Sequence, residues 1–189
     1  MHETPLIGSY SPEDVVAWQQ GQTHTARQFL ADVIALTEAL PDRPAVLNLA
    51  DSRYEFVVGF AAAILRGQLT LLPQHRAPEA LRRLVDDYPG CYALTDHDEA
   101  IEGIEALSIQ SGGGAAPWPK HIPLVPLKQT VAVAFTSGST GRPVPNKKTW
   151  GALTAVAQAT GSRLGIKGDR KSTRLNSSHI PLSRMPSSA

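Results

Sequence analysis

Residues 131–143 read Val131-Ala132-Val133-Ala134-Phe135-Thr136-Ser137-Gly138-Ser139-Thr140-Gly141-Arg142-Pro143. Four hydroxyl residues and two glycines sit behind an apolar run. Those residue types suit the gripping of a phosphate. Glycines let the backbone turn tightly and present successive N–H groups to an anion, and Ser and Thr hydroxyls add donors. The apolar run has the length of a buried strand, and a helix-like segment, residues 149–164, follows. Strand, small-residue loop and helix form an arrangement that holds phosphates, and a nearby helix N-terminus would add about half a positive charge. The competing reading is a plain Gly/Ser linker. Two features favour the phosphate loop: no polar spacer separates it from the apolar run, and Pro143 stiffens its exit. The G-x-x-x-x-G-K-[ST] pattern is missing, which disfavours an ordinary P-loop NTPase.

Thr136-Ser137-Gly138-Ser139-Thr140-Gly141-Arg142-Pro143 resembles the T-S-G-[ST]-T-G-x-P signature of acyl-adenylate-forming enzymes. That family includes acyl-CoA synthetases, adenylation domains of peptide synthetases and luciferases. Asp42-Arg43-Pro44-Ala45-Val46 and Gly67-Gln68-Leu69-Thr70-Leu71-Leu72-Pro73 are also similar to its N-terminal subdomain. The resemblance covers about residues 24–167. It implies an AMP-binding, ATP-dependent acid–thiol ligase of the acyl-CoA synthetase type. A carboxylic acid would attack the α-phosphate of ATP, pyrophosphate would leave, and the acyl group would pass to the thiol of CoA or an acyl carrier protein. Thr136, Ser137, Gly138, Ser139, Thr140 and Gly141 would hold the β- and γ-phosphates, with Mg²⁺ sharing their charge.

One position departs from the family. A Lys usually follows the motif's Pro, and here Val144 stands there. Lys147 and Lys148, on a loop shaped by Pro143 and Pro145, either replace it or are solvated surface lysines. This P-x-P-x-x-K stretch is similar to members linked to pigment (aryl polyene type) synthesis. The resemblance puts the remaining family machinery beyond Lys167, so the polypeptide is expected to lack adenylation activity by itself. The alternative is a non-catalytic nucleotide- or acyl-binding module, or a degenerate relative, for which Val144 is the main support.

The elements that position the loop follow from pattern. Ser11-Pro12-Glu13-Asp14 reads as a helix start running to Gln20, giving a helical lead-in over residues 1–23. Residues 25–40 place Phe29, Leu30, Val33 and Ile34 on one helical face. Strands are expected at 45–49, 69–72, 91–94 and 130–135, and helices at 53–66, 78–88 and, more weakly, 98–106. Residues 111–121 read as a Gly/Pro loop. Strands alternating with helices imply right-handed crossovers. The expected fold is α/β, a mainly parallel sheet with helices on both faces, forming an incomplete N-terminal subdomain of an adenylate-forming enzyme. Ligands of such sheets sit at the carboxyl ends of strands, where the signature lies.

Residues 169–189 carry a separate reading. The segments 169–179 and 183–189 resemble, in one frame, a translated short-read sequencing adapter, so this tail is expected to be non-native and disordered. Residues 24–168 then form the partial AMP-binding domain. Removing the tail takes Lys plus Arg from 18 to 14 and Asp plus Glu from 17 to 16, so the net charge moves from +1 to −2. Nothing basic remains to suggest nucleic acid as a partner. Apolar runs are too short to span a bilayer, and no secretory signal opens the chain. The single cysteine, Cys91, excludes an internal disulfide framework and reads as a buried thiol. These features point to the cytoplasm. His24, His75, His97 and His121 lack metal-like spacing, and Asp96-His97-Asp98-Glu99 reads as the acid cluster of a helix N-terminus. G-S-T-G is not a nucleophile elbow, so a hydrolase is disfavoured.

Overall fold

The computed structural model describes residues 2–19, 21–97, 103–112, 117–136 and 144–164. Residues 137–143 of the signature and the 169–189 tail lie outside them. In chain order the elements are β1 (Glu3–Pro5), β2 (Val15–Gln19), β3 (Gln22–Thr25), α1 (Ala26–Ala39), β4 (Ala45–Asn48), α2 (Arg53–Leu65) and β5 (Leu69–Leu72). There follow α3 (Pro78–Asp87), β6 (Tyr92–Thr95), β7 (Ala106–Ser108), β8 (Leu124–Pro126), β9 (Thr130–Thr136), β10 (Val144–Thr149) and α4 (Trp150–Arg163).

The main sheet has six strands in the order β10-β9-β5-β4-β6-β7. Its strands β9, β5, β4, β6 and β7 run parallel, and β10 returns antiparallel along β9. Alternate strand residues serve opposite faces. Val46 and Leu94 join Leu30, Val33, Val58 and Ala62 of α1 and α2 in one core. Leu47, Leu71, Val133 and Phe135 meet Leu81 and Leu84 of α3 in a second core on the other side. The expected α/β fold, a mainly parallel sheet helix-covered on both faces, is therefore what the chain adopts. Continuous apolar runs such as Ala45–Asn48 reflect it, because a strand buried on both faces cannot alternate with polar residues.

Local signals account for the helices. Thr25 caps α1 in a reciprocal capping box with Gln28. Ser52 caps α2, its hydroxyl accepting from the Glu55 N–H at 3.2 Å, and Gly67 at φ +76° ends the turn beyond it. Sandwiched between α1 and the sheet, α2 is apolar nearly all round. Burying its Val58 contributes about 1.5–3 kcal/mol relative to exposure.

Two expectations fail for a local reason, and a third falls mostly outside the described residues. The helix expected from Ser11 is a single turn followed by the β2–β3 hairpin. Asp14 does accept from the Ser11 N–H at 2.6 Å, as at a helix start. However, the Pro12 and Asp14 carbonyls that would carry that helix forward accept instead from Arg27 and Ala26, at 3.0 and 2.8 Å. The first amides of α1 thus take the acceptors, and Gly21 at φ +80° turns β2 into β3. The helix expected at 98–106 falls mostly outside the described residues, and its last residue, Ala106, begins β7 parallel to β6. The loop expected at Lys147 and Lys148, between Pro143 and the helix-like segment from Thr149, is instead strand β10. Pro145 is tolerated there because β10 is a sheet edge.

Among the described residues no helix is long and apolar enough to cross a membrane. Cys91 is buried and unpaired, and burial pushes its thiol pKa up.

Helix α2 comes close to the sheet at Gly59. A Cβ there would stand 3.0 Å from Ile109 Cδ1, 3.1 Å from Asn48 Nδ2 and 3.2 Å from Leu94 Cδ1. Gly59→Val, with two further methyls, overpacks this contact and is expected to lower stability by about 1–3 kcal/mol. Urea unfolding measures it, and an unchanged midpoint would refute the close-packing argument.

Candidate functional site

In an open parallel sheet, ligands bind outside the carboxyl ends of strands, at the crevice where successive connections diverge. Here the chain leaves β4 towards β5 and leaves β6 towards β7, on opposite sides. The crevice therefore lies between the carboxyl ends of β4 and β6. Asp51 and Ser52 follow β4, and Asp96 and His97 follow β6. Arg76 follows β5, and Thr136 ends β9.

Asp51, Ser52, Arg76, Asp96 and His97 form one network. The Asp96 carboxylate accepts from the Asp51 N–H at 3.0 Å and the Ser52 N–H at 2.7 Å. It thereby joins the start of α2 to β6. Partial burial raises the Asp96 pKa, but the hydrogen bonds from the backbone of Asp51, Ser52 and Asp96 itself outweigh this, and the net effect is a lowered pKa. The Asp51 carboxylate meets His97 Nε2 at 2.8 Å and forms an ion pair with Arg76. Its pKa is lowered, first by the His97 hydrogen bond and then by Arg76. Arg76 also donates to the Ala50 carbonyl at 3.0 Å.

Beside the network an open cleft of about 1260 Å³ runs along α2 under the β2–β3 hairpin. Aromatic walls from Trp18, Phe29, Tyr54 and Phe60 lead to a polar mouth at Ser52, Glu55 and His97. Glu55 accepts from Ser111 through Oε1, while its buried Oε2 has no partner among the described residues. Burial raises the Glu55 pKa; Ser111 opposes this, and the Asp32 and Asp96 charges add to it. Behind it, Tyr54 donates to buried Asp32 at 2.7 Å and His24 stacks on the Tyr54 ring at 3.6 Å.

Of the residues singled out from sequence, Thr136 ends β9, exposed, with Oγ1 3.4 Å from the Val144 carbonyl across the hairpin. Ser137, Gly138, Ser139, Thr140 and Gly141 lie outside the described residues. Lys147 pairs with Val133 and Lys148 with Ala132. Consecutive strand residues point to opposite faces, so the two lysines serve different sides of the sheet. Lys147 is exposed and Lys148 half-buried.

The expectation that the following helix lends its N-terminus to the loop is corrected. The signature is closed by an antiparallel strand, and α4 begins only after all six residues of β10. At about 3.4 Å per residue, the α4 N-terminus stands roughly 17–20 Å from the loop. Its first amides are already engaged: Trp150 N–H donates to Gln129 at 2.9 Å, Gly151 N–H to Leu127 at 2.9 Å, and Ala152 N–H to Thr149 Oγ1 at 3.2 Å. A dipole effect that fades within the first turn cannot reach the loop.

Asp51, Arg76 and the capping role of Asp96 went unread in the sequence. The available signal was position: each follows a buried apolar run within a few residues, where carboxyl ends of parallel strands fall.

This architecture is that of the N-terminal subdomain of adenylate-forming enzymes, and solved structures of that class match it. An O-succinylbenzoate coenzyme A synthetase (MenE) from Bacillus subtilis, in complex with AMP, superposes with TM-score 0.69 at 20% identity, over 88% of this chain and 48% of that one. The same synthetase in complex with ATP and magnesium ion gives TM-score 0.69 at 20% identity, over 88% and 49%. The N-terminal subdomain of Klebsiella oxytoca NpsA, in complex with 3-hydroxybenzoyl-AMSN, gives 0.57 at 17%, over 73% and 37%. The chain thus spans about half the length of these structures or less. No protein-family model matches the sequence, and no curated protein matches it.

The two perturbed carboxyls predict opposite pH behaviour. The raised Glu55 pKa means that its contribution is fully present below its unfolded value near 4.5 and is lost as pH rises through the folded pKa. Glu55→Gln should therefore gain thermal stability over the native chain as pH rises from about 4.5 towards 7. The lowered Asp96 pKa contributes stability above its unfolded value near 3.8, lost as pH falls through the folded pKa. Asp96→Asn should be less stable at pH 7 and approach the native chain in acid. Melting curves from pH 3 to 7 check both, and parallel curves for the two variants would refute the assignment.

Proposed function

We propose that the chain is the phosphate-binding part of an ATP-dependent carboxylic-acid-activating enzyme of the acyl-CoA synthetase type. The observation that carries this is the signature Thr136-Ser137-Gly138-Ser139-Thr140-Gly141-Arg142-Pro143 leaving the carboxyl end of β9, in a fold shared with synthetases solved with AMP and with ATP. The donor chemistry fits a polyphosphate. Thr136 is exposed at the edge, and the loop that follows it is rich in hydroxyls and glycine.

In this reading Thr136, Ser137, Ser139 and Thr140 offer hydroxyl donors, and Gly138 and Gly141 let the backbone approach the β- and γ-phosphates of MgATP. Lys147 and Lys148 are candidate charge partners from β10. The substrate carboxylate oxygen bonds to the α-phosphorus, the bond to the β-phosphate oxygen breaks, and pyrophosphate leaves. A thiol of CoA or a carrier protein then bonds to the acyl carbon and AMP departs. The loop's share is positional and electrostatic: it holds the leaving group and stabilises the charge developing there. Mg²⁺ arrives with the nucleotide, bound chiefly through phosphate oxygens. Because the chain spans 48% of the first synthetase, the reading is of phosphate binding by this polypeptide without turnover by it alone. A second reading, a non-catalytic nucleotide- or acyl-binding module, is favoured by Val144, a half-exposed apolar residue where the resembled family carries Lys.

Calorimetric titration of MgATP into the 189-residue chain tests the proposal. Binding is expected, and Gly138→Asp, which sets a carboxylate against the phosphates, should weaken it by about tenfold or more. ATP–pyrophosphate exchange with carboxylic acids should be absent. A native chain that fails to bind MgATP, or a Gly138→Asp chain that binds equally well, defeats the phosphate-loop assignment.

A further inference from the structure

The cleft along α2 under the β2–β3 hairpin is a second place where the chain can take a ligand. Its described lining lies outside residues 130–149, so it is separate from the signature and from β10. Buried Phe29 and Tyr54, half-buried Phe60 and exposed Trp18 wall a space of about 1260 Å³. That is room for an organic molecule with an aromatic or other apolar body.

The charges at the cleft are unbalanced towards acid. Asp51, Glu55 and Asp96 line it, against Arg53 and His97. Two of the three acids are already engaged. Asp51 pairs with Arg76 and His97, and Asp96 accepts from two backbone amides. Glu55 differs, because among the described residues no Lys, Arg or His forms an ion pair with it. Its Oε1 accepts from Ser111, and its buried Oε2 has no partner among those residues. The charged groups that bear on it from neighbouring elements are Asp32 of α1, Asp96 beyond β6 and His24 of β3, two acids against one histidine. A buried carboxylate oxygen without a donor is destabilising. An incoming ammonium supplies both the donor and the missing positive charge. The last torsion of a glutamate is soft, so its carboxylate can turn Oε2 towards the cleft without movement of α2. Indole and phenol rings such as those of Trp18 and Tyr54 also attract cations. An anionic ligand would instead meet the acids.

We propose that this cleft binds a small organic cation, an ammonium carried on an aromatic or other apolar body, with Glu55 as the carboxylate partner and Trp18 as one wall. The site does not depend on the phosphate-loop reading. It goes beyond that reading by assigning a ligand class to the α2 side of the molecule.

Tryptamine, titrated into the full 189-residue chain at neutral pH and followed by NMR, is the probe. Indole-3-propionate, the same ring system with a carboxylate on its side chain, is the comparison. Tryptamine should bind at least about tenfold more tightly. Glu55→Gln should weaken tryptamine by about tenfold, the worth of a charge-assisted contact, and should not weaken indole-3-propionate. That variant is expected to be the more stable chain at pH 7, so a loss of tryptamine binding is not a loss of fold. Glu38→Gln, at an exposed position of α1 outside the cleft, removes the same charge and should change affinity less than about twofold. Trp18→Ala removes a ring that is 63% exposed and should weaken both probes. Equal affinity for the two probes overturns the proposal, as does a Glu55→Gln chain that behaves like Glu38→Gln. Tryptamine binding untouched by Trp18→Ala places the ligand elsewhere and also overturns it. A native chain that binds neither probe leaves no cation site. A native chain that sediments as a dimer, dissociated by Trp18→Ala, gives the cleft to a second copy and likewise defeats the proposal.

Discussion

Parallel pairing of β5 between β4 and β9 is the constraint on which the rest of the molecule depends. β5 is four residues long, and Leu71 at its centre is fully buried. It fixes two distant parts of the chain in one register: residues 45–48 on one side and the signature strand on the other. Parallel strands point the same way, so every loop that follows a strand is delivered to one edge. The polar residues after β4, β5, β6 and β9 need no further device to be brought together. Thr70 shows how strict the environment is. It is wholly buried at the middle of β5, and its hydroxyl has no hydrogen-bond partner among the described residues. A β-branched residue shaped to the strand is retained there at the cost of an unmet polar atom.

The carboxyl edge is stiffened by side chains rather than by more sheet. Asp96 ties β6 to the two residues before α2 through their backbone amides, 45 and 44 residues away in sequence. A similar logic operates at the opposite edge. Gln68 is buried, accepts from Tyr92 at 2.8 Å and donates to the Pro41 carbonyl at 2.6 Å. Burial raises the Tyr92 hydroxyl pKa to about 12, so it remains a donor throughout the physiological range. Both ends of β4, β5 and β6 are thus joined by satisfied polar bridges, and the two cores on either face need only be apolar.

What could be read from sequence divides along this line. Elements determined by their own residues were legible: α1 from the spacing of Phe29, Leu30, Val33 and Ile34, α2 from Ser52 and Gly67, and β4, β5 and β9 from uninterrupted apolar runs. The signature could be singled out by its residue types, and residues 137–143 of it lie outside the described residues. Elements determined by a partner were not. β10 reads as loop because Pro145, Asn146, Lys147 and Lys148 carry no strand pattern, yet β9 supplies a ladder for them. β2 and β3 depend on carbonyls of residues 12 and 14 being taken by α1. β1 and β8 pair across more than a hundred residues. The Asp51, Arg76, Asp96 and His97 network draws on three separate connections, and no local spacing relates them. His97 and Asp96 read in sequence as the start of a helix, whereas Asp96 meets the amides at the start of α2.

The hairpin between β9 and β10 changes how a phosphate could be held here. A loop leading straight into a helix offers the helix dipole as well as its own amides. This loop is followed by an edge strand that carries the chain back to the far side of the sheet before α4 begins, and the first amides of α4 are bonded to Leu127, Gln129 and Thr149. The α4 N-terminus is therefore no source of stabilisation for an anion at the carboxyl edge. The neighbouring strand ends are unequal. The β4 and β6 connections contribute carboxylates at Asp51 and Asp96, which repel a phosphate unless neutralised. His97 and Arg76 both contact Asp51. The charge that this edge presents thus turns on how its own acids are paired. That dependence follows from the parallel sheet, which brings acids and bases to the same edge.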